Sequence, residues 1–201
     1  MVRKSLVELI LWLEEVFDRH RIDRSYGGAI ARNYYAAPRL TKDIDVLVVA
    51  SQLAVAPLVQ DLARAEVSAL LLDADKGIEV RRPLDLSRLL ADLRGGARTT
   101  RLLCFGTRVE IFSAWHPFDH EVLRRAQVRA LDGRNIKVHS PEDLIVYKKV
   151  FNRSKDIEDI KAILAAQAGK LDPDRIREAA GRLLDAAGLE ELEALLRDFY
   201  V

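Results

Sequence analysis

Between residues 5 and 20 the apolar side chains recur at helical spacing. Leu6, Leu9, Ile10, Leu13, Val16 and Phe17 are separated by Glu and Arg, so one face is apolar and the other charged. That pattern predicts an amphipathic helix packed on a core. Tyr26-Gly27-Gly28 breaks it, and residues 28 to 36 read as a second, short helix. The period then changes. Asp43-Ile44-Asp45-Val46-Leu47-Val48-Val49 is short and rich in β-branched residues, and predicts a buried strand. Helices are expected over 53 to 65 and from Leu84 to Leu93. Gly95-Gly96 signals a turn. Beyond it, Thr99 to Phe105 and Thr107 to Phe112 read as two arms of a hairpin about Gly106, and Asn135 to His139 as one more short strand.

The pattern changes again at Ser140. Ser140-Pro141-Glu142-Asp143 offers a capping serine, proline at the first helical position and an acid three residues after the cap. Asp172-Pro173 repeats the start, so at least three helices are expected over residues 141 to 200. The expected fold class is α/β (α+β): a small mixed β-sheet flanked by helices over residues 1–139, then a C-terminal helical subdomain over 140–201 packed on it. No Gly/Ser-rich or Pro-rich stretch marks the boundary as a flexible linker.

Composition narrows the functions little. The 201 residues are 49% hydrophobic and 31% charged, ordinary for a globular protein, with a formal net charge of +1. Any contact with nucleic acid must therefore come from local basic patches. Cys104 is the only cysteine, which excludes an intrachain disulfide and a cysteine-rich zinc site. The first residues look superficially like a signal peptide, but Glu8, Glu14 and Glu15 interrupt the apolar run and no small-residue cleavage site follows. With no run of 18 apolar residues, no membrane contact is expected, and the expected location is cytoplasmic.

The chemistry is concentrated near residue 45. Asp43 and Asp45 stand at i and i+2 on the expected strand, so both carboxylates leave the same face, with Cα atoms roughly 7 Å apart. Two like charges this close raise a pKa or call for a cation, and Mg²⁺ is commonly held by one or two carboxylates plus substrate phosphates. An Asp-x-Asp alone is more often a loop or capping feature. Gly27-Gly28 either ends the first helix or presents free backbone N–H groups at a helix start, suited to phosphate. Arg39 and Thr41, just before the strand, either contact phosphate or are solvated loop residues.

Taken together, Gly27-Gly28-Ala29 and Arg39-Leu40-Thr41-Lys42-Asp43-Ile44-Asp45 resemble the signature of DNA polymerase β-like nucleotidyltransferases. Ser140-Pro141-Glu142-Asp143-Leu144-Ile145-Val146-Tyr147-Lys148, with Arg153-Ser154-Lys155-Asp156-Ile157-Glu158-Asp159-Ile160, is similar to the C-terminal helices of the AbiEii/AbiGii-type branch, which includes toxins of abortive-infection and toxin–antitoxin systems. The resemblance implies a nucleotidyltransferase fold. It also implies transfer of a nucleoside monophosphate from an NTP (ATP among the candidates) to a hydroxyl acceptor, with Mg²⁺ or Mn²⁺ as cofactor. RNA, and tRNA foremost, is the acceptor it favours, and it leaves open a cognate antitoxin as partner.

The same resemblance implies a third carboxylate on a later strand, which would join Asp43 and Asp45 at the metal and activate the attacking hydroxyl. Glu110 is the candidate, the alternative being an edge-strand Glu facing water. It further implies that Lys148 meets the triphosphate, although adjacent Lys149 leaves the register ambiguous. Asp156 falls on an acidic position of functional importance, or is simply favourable in the first turn of a helix. With Gly27, Gly28, Arg39 and Thr41, these complete the expected nucleotide site. Three departures stand out: Ala29 where many active members carry Ser or Thr, Glu110 in place of Asp, and Tyr34-Tyr35-Ala36-Ala37-Pro38 without the usual Gly. They leave two alternatives beside an RNA-modifying enzyme: a non-catalytic nucleotide- or protein-binding member of the fold, and a transferase acting on a small, antibiotic-type molecule. His116 and His120 are four apart but separated by Pro117 and lack a third ligand. The arginines at 94, 98, 101 and 108 and at 124, 125 and 129 either guide RNA or triphosphate or form a solvated basic face.

Overall fold

The computed structural model describes residues 3–49, 52–73 and 78–199. Its first helix, α1 (Leu6–Arg19), is started by a reciprocal cap in which Ser5 Oγ accepts from the Glu8 N–H and the Glu8 carboxylate accepts from the Ser5 N–H. It buries Leu9, Ile10, Leu13, Val16 and Phe17, the expected apolar face. There follow β1 (Asp23–Tyr26), α2 (Gly28–Arg32), β2 (Asp43–Val49), α3 (Gln52–Arg64), β3 (Val67–Asp73) and β4 (Ile78–Arg82). Next come α4 (Leu86–Ala91), extended by one π-type turn over Asp92–Gly96, then β5 (Thr99–Cys104), β6 (Thr107–Ser113), α5 (Pro117–Arg125), β7 (Gln127–Leu131) and β8 (Arg134–Val138). Four helices complete the described chain: α6 (Pro141–Phe151), α7 (Ser154–Ala166), α8 (Pro173–Gly181) and α9 (Ala186–Arg197).

The eight described strands form one mixed sheet in the order β4-β3-β5-β6-β2-β1-β8-β7. It is larger than the small sheet expected, because β1, β3 and β4 have no strong local signature and β7 is signalled only by the Asp132-Gly133 turn that follows it. Two pairings are parallel, β2 with β6 and β1 with β8, and the rest are antiparallel. The β5–β6 and β7–β8 hairpins turn through Phe105-Gly106 and Asp132-Gly133, whose φ angles are all positive. Two-residue turns of that kind match the right-handed twist of the strands they join.

Two helices of the C-terminal half start as their sequences foretell: Ser140 Oγ accepts from the Asp143 N–H with Pro141 at the first position, and Asp172 caps α8 ahead of Pro173; α9 is capped in the same way by Asp185. Helix α6 is buried on most sides (Leu144, Ile145 and Val146 are at most 1% exposed), which suits a helix enclosed by others. None of the described helices is long and apolar enough to cross a membrane.

Candidate active site

Strand β2 alternates in burial, with Ile44, Val46 and Val48 on one face and Asp43, Asp45 and Leu47 on the other. Its neighbour β6 runs parallel in a register that sets Asp45 beside Glu110, Asp43 beside Arg108 and Leu47 beside Phe112. Residues aligned across a ladder share a face, so Glu110 leaves the sheet on the same side as the two aspartates. All three carboxylates line one cleft of about 540 Å³. Withdrawal from water, reinforced by the charges of Glu110 and Asp43, pushes the pKa of Asp45 up to about 6, against the opposing pull of Lys148 and Arg153.

The Gly27-Gly28 turn lies against this row. The Gly27 N–H donates to the Asp45 carbonyl at 2.9 Å, which carries the β1–β2 pairing one residue past β1. Gly28 has φ +51°, and a Cβ there would stand 1.8 Å from Asp45 Oδ2. A Cβ on Gly27 would stand 2.7 Å from His139 Nε2. Both glycines are thus required by close approach. His139 is buried with Nδ1 2.8 Å from Ser25 Oγ, and burial pushes its pKa down to about 4, so the ring is neutral at pH 7.

Cations come from the C-terminal helices. Lys148, on α6, is 5% exposed and lies 2.6 Å from Asp159 and 3.4 Å from Asp156, both on α7. Lys149 turns the other way, to Asn152 and Glu191, and of the two lysines it is Lys148 that lines the cleft. Asp156 accepts from Arg153 at 2.6 Å; with Lys148 this holds its pKa down although burial opposes it. Asp159 takes a two-pronged bond from Arg39 at 3.0 and 2.8 Å and is 3.1 Å from Arg32 Nε. Burial alone would raise its pKa, but the bonds from Arg39 and Lys148 prevail and hold it at about 2. A smaller cavity of about 280 Å³, bounded by Gly28, Thr41, Asp43, Asp45, Lys148 and Arg153 among others, adjoins the larger one.

The nine expected site residues are therefore gathered around two adjoining cavities, in differing conditions. Gly27, Gly28, Asp43, Asp45, Glu110, Lys148 and Asp156 line the larger cleft, and Arg39 and Thr41 the smaller. Arg39, expected at phosphate, gives its guanidinium to Asp159. Thr41 forms a local turn, its hydroxyl donating to the Asp43 carbonyl at 3.2 Å. Glu110 is gripped by Arg108, with Arg101 at 3.8 Å, and Glu79 completes that cluster at 2.8 Å from Arg108. His116 caps α5, its Nδ1 accepting from the Phe118 N–H at 3.2 Å. Arg153, Lys155 and Trp115 also line the larger cleft. Only their places in the helical block and after the β5–β6 hairpin hinted at this.

Among the described residues no three His, Cys, Asp or Glu side chains form a ready cage for a metal ion. The donor set suits the other mode, in which Asp43 and Asp45 supply hard oxygens and phosphate and water supply the rest. The raised pKa of Asp45 marks uncompensated negative charge that a cation would relieve.

Residues 108–191 match the sequence profile of a family described as nucleotidyl transferase of unknown function (DUF2204). The matched segment is under half of the chain; it includes Glu110, Lys148 and Asp156 but not Asp43 or Asp45. No curated protein matches the chain by sequence. Solved structures do match by fold. An antigenic nucleotidyltransferase-like protein from Paracoccidioides brasiliensis aligns at 16% identity and TM-score 0.53, over 96% of this chain and 92% of its own. The antibiotic-resistance factor ANT(2'')-Ia in solution aligns at 14% identity and TM-score 0.54, over 96% and 95%. A crystal structure of ANT(2'')-Ia in complex with adenylyl-2''-tobramycin aligns at 13% identity and TM-score 0.55, over 90% and 97%. At such identities the likeness is one of architecture. The chain has the nucleotidyltransferase fold, and its row of carboxylates faces a cleft within it.

Proposed function

We propose that this protein is a metal-dependent nucleotidyltransferase that moves a nucleoside monophosphate from an NTP to a hydroxyl of RNA, with tRNA the foremost candidate. The observation that supports this most directly is the seating of Asp45 against Gly28. A positive-φ glycine leaves room for a half-buried carboxylate flanked by Asp43 and Glu110, with Lys148 and Arg153 acting on the same group. In this reading Asp43, Asp45 and Glu110 would hold Mg²⁺ or Mn²⁺, which would neutralise phosphate charge and make the attacking hydroxyl more acidic. The Gly27-Gly28 turn, Lys148, Arg153 and Lys155 orient the triphosphate. A Glu110 oxygen accepts the proton of the acceptor hydroxyl once Arg108 yields it. The hydroxyl oxygen then bonds to the α-phosphorus as the bond from that phosphorus to the bridging oxygen breaks, and pyrophosphate leaves.

The toxin-like role belongs to the same proposal and rests on the similarity of residues 140–160 to the abortive-infection branch; a cognate antitoxin would be its partner. The chief competing reading is a non-catalytic member of the fold, favoured by the grip of Arg108 on Glu110 and by Ala29 at the phosphate turn. Incubation with labelled NTPs, Mg²⁺ or Mn²⁺ and total RNA separates them. Wild type should label RNA and slow growth of an expressing cell, and Asp45→Ala should cut labelling by about 10²–10⁴-fold while staying folded. Equal absence of label and equal growth for both proteins would leave the non-catalytic reading standing.

A further inference from the structure

Besides its carboxylates, the larger cleft is lined by Phe112, Trp115 and Phe151. Two of these rings are open to water, Trp115 at 56% exposure and Phe151 at 50%. Each carries a cation. The Arg98 guanidinium is 3.9 Å from the centroid of the Trp115 ring, and that of Arg153 is 5.2 Å from Phe151. Such pairing steadies both partners and keeps a ring in place at an exposed site. Lys155 joins the two arginines at the cleft. Other acids at the cleft are already engaged. Asp119 accepts from the Tyr147 hydroxyl and from the backbone of Trp115 and His116, and Asp156 from Arg153 and Lys148. An exposed indole beside Arg98 and Lys155 suits a planar ring on an anionic chain.

We infer that Trp115, braced by Arg98, is the stacking surface for a nucleobase, and that it distinguishes a base-bearing ligand from one without a base. The base belongs to the NTP or to an acceptor nucleotide; both present the same π face. The inference deepens the nucleotidyl-transfer reading and rests on it for the phosphate-bearing end of the ligand. Stacking tolerates any base, so Trp115 contributes affinity more than sequence preference.

The chain has two tryptophans, so a Trp12→Phe protein reports Trp115 alone by fluorescence. Mg-NTPs, a short single-stranded oligoribonucleotide, inorganic tripolyphosphate and tobramycin are titrated into it. Saturable quenching by the NTPs or by the oligonucleotide is expected, and which of them quenches identifies the source of the base. Tripolyphosphate should bind without quenching. In the native background Trp115→Ala should weaken the quenching ligand by about 5- to 150-fold. Tripolyphosphate affinity should not change, and Trp115→Phe should recover much of the loss. Trp115→Ala should fold, because the ring is exposed and the cap of α5 uses only its backbone N–H. No quenching by either base-bearing ligand, an unchanged affinity in Trp115→Ala, or quenching by tobramycin as strong as that by the nucleotides overturns the inference. Failure of the underlying reading shows separately, as tripolyphosphate binding that is absent or indifferent to Mg²⁺ in calorimetry; the oligonucleotide titration still decides the role of Trp115.

Discussion

Replacing Gly28 by alanine tests the packing on which the site depends. Two costs are separable. At φ +51° an L-residue sits in the left-handed region, worth roughly 1–2 kcal/mol against a non-glycine. The new methyl would also lie 1.8 Å from Asp45 Oδ2, where real Cβ atoms stay beyond 3.0 Å, so the carboxylate must retreat by at least about 1.2 Å. Overpacking of that kind costs roughly 1–3 kcal/mol, giving about 2–5 kcal/mol in all. Urea unfolding of the metal-free protein reads it as a fall in midpoint at unchanged slope. Asp45→Ala provides the control, because it removes the two nearest atoms and leaves the Asp45 Cβ at 3.1 Å. In that background Gly28→Ala should cost only the backbone share, so the double-mutant cycle should show a coupling of about 1–3 kcal/mol. Transfer activity should fall by about 10²-fold or more in Gly28→Ala alone, as expected for a reacting group moved by an ångström. Gly27→Ala should be milder, since its φ is −110° and the clash is with a side chain 2.7 Å away. Full stability in Gly28→Ala, or a cost unaltered by Asp45→Ala, would refute the proposed contact.

His139 makes the protein sensitive to acid. Its folded pKa of about 4 lies below the unfolded value near 6.5, so the unfolded state binds the extra proton between those limits. The contribution of His139 to stability is complete above pH 6.5 and is lost on acidification, by about 2 kcal/mol at pH 5 and about 3 kcal/mol below pH 4. Urea unfolding of wild type and His139→Asn at pH 7.5 and 5 should show that difference only in wild type; parallel losses would remove His139 as the cause. Arg108→Gln should free Glu110 and tighten Mn²⁺ binding measured by calorimetry, whereas an unchanged affinity would argue that Glu110 is no ligand.

The elements that were legible are those whose signals are local. Strand β2 occupies residues 43–49 as its composition foretold, and the β5–β6 hairpin turns at Gly106. The caps at Ser140 and Asp172 start helices where they should. Strand β1 was missed because Asp-Arg-Ser-Tyr has no strand pattern of its own; it is extended because β2 and β8 hold it on both sides. In β3 the run Leu70-Leu71-Leu72 suits a buried helix as well as a strand, an ambiguity that short apolar runs always carry. Strands β4 and β7 lie at the sheet edges, where Arg81, Arg82 and Val128 face water and blur the alternation. Asp132-Gly133 is a strong hairpin signal and could have revealed β7 and β8 together.

At the site, the i, i+2 spacing told correctly that the aspartates share a face, because that follows from strand geometry alone. That Glu110 stands beside Asp45 depends on the β2–β6 register, and only the family resemblance pointed to it. The engagement of Arg39 with Asp159, 120 residues away, was not legible at all. Its consequence is positional. Asp159 receives Arg39 from the loop before β2, Arg32 from α2 and Lys148 from α6, so one buried carboxylate joins three segments around the two cavities. Burial of so many charges is poor value for stability, since desolvation offsets much of the attraction. What the cluster does provide is registration: Asp156 and Asp159 hold Lys148, which lines both cavities. The arginine that the sequence motif assigns to phosphate thus lines the smaller cavity with its guanidinium on Asp159, the same carboxylate that holds Lys148.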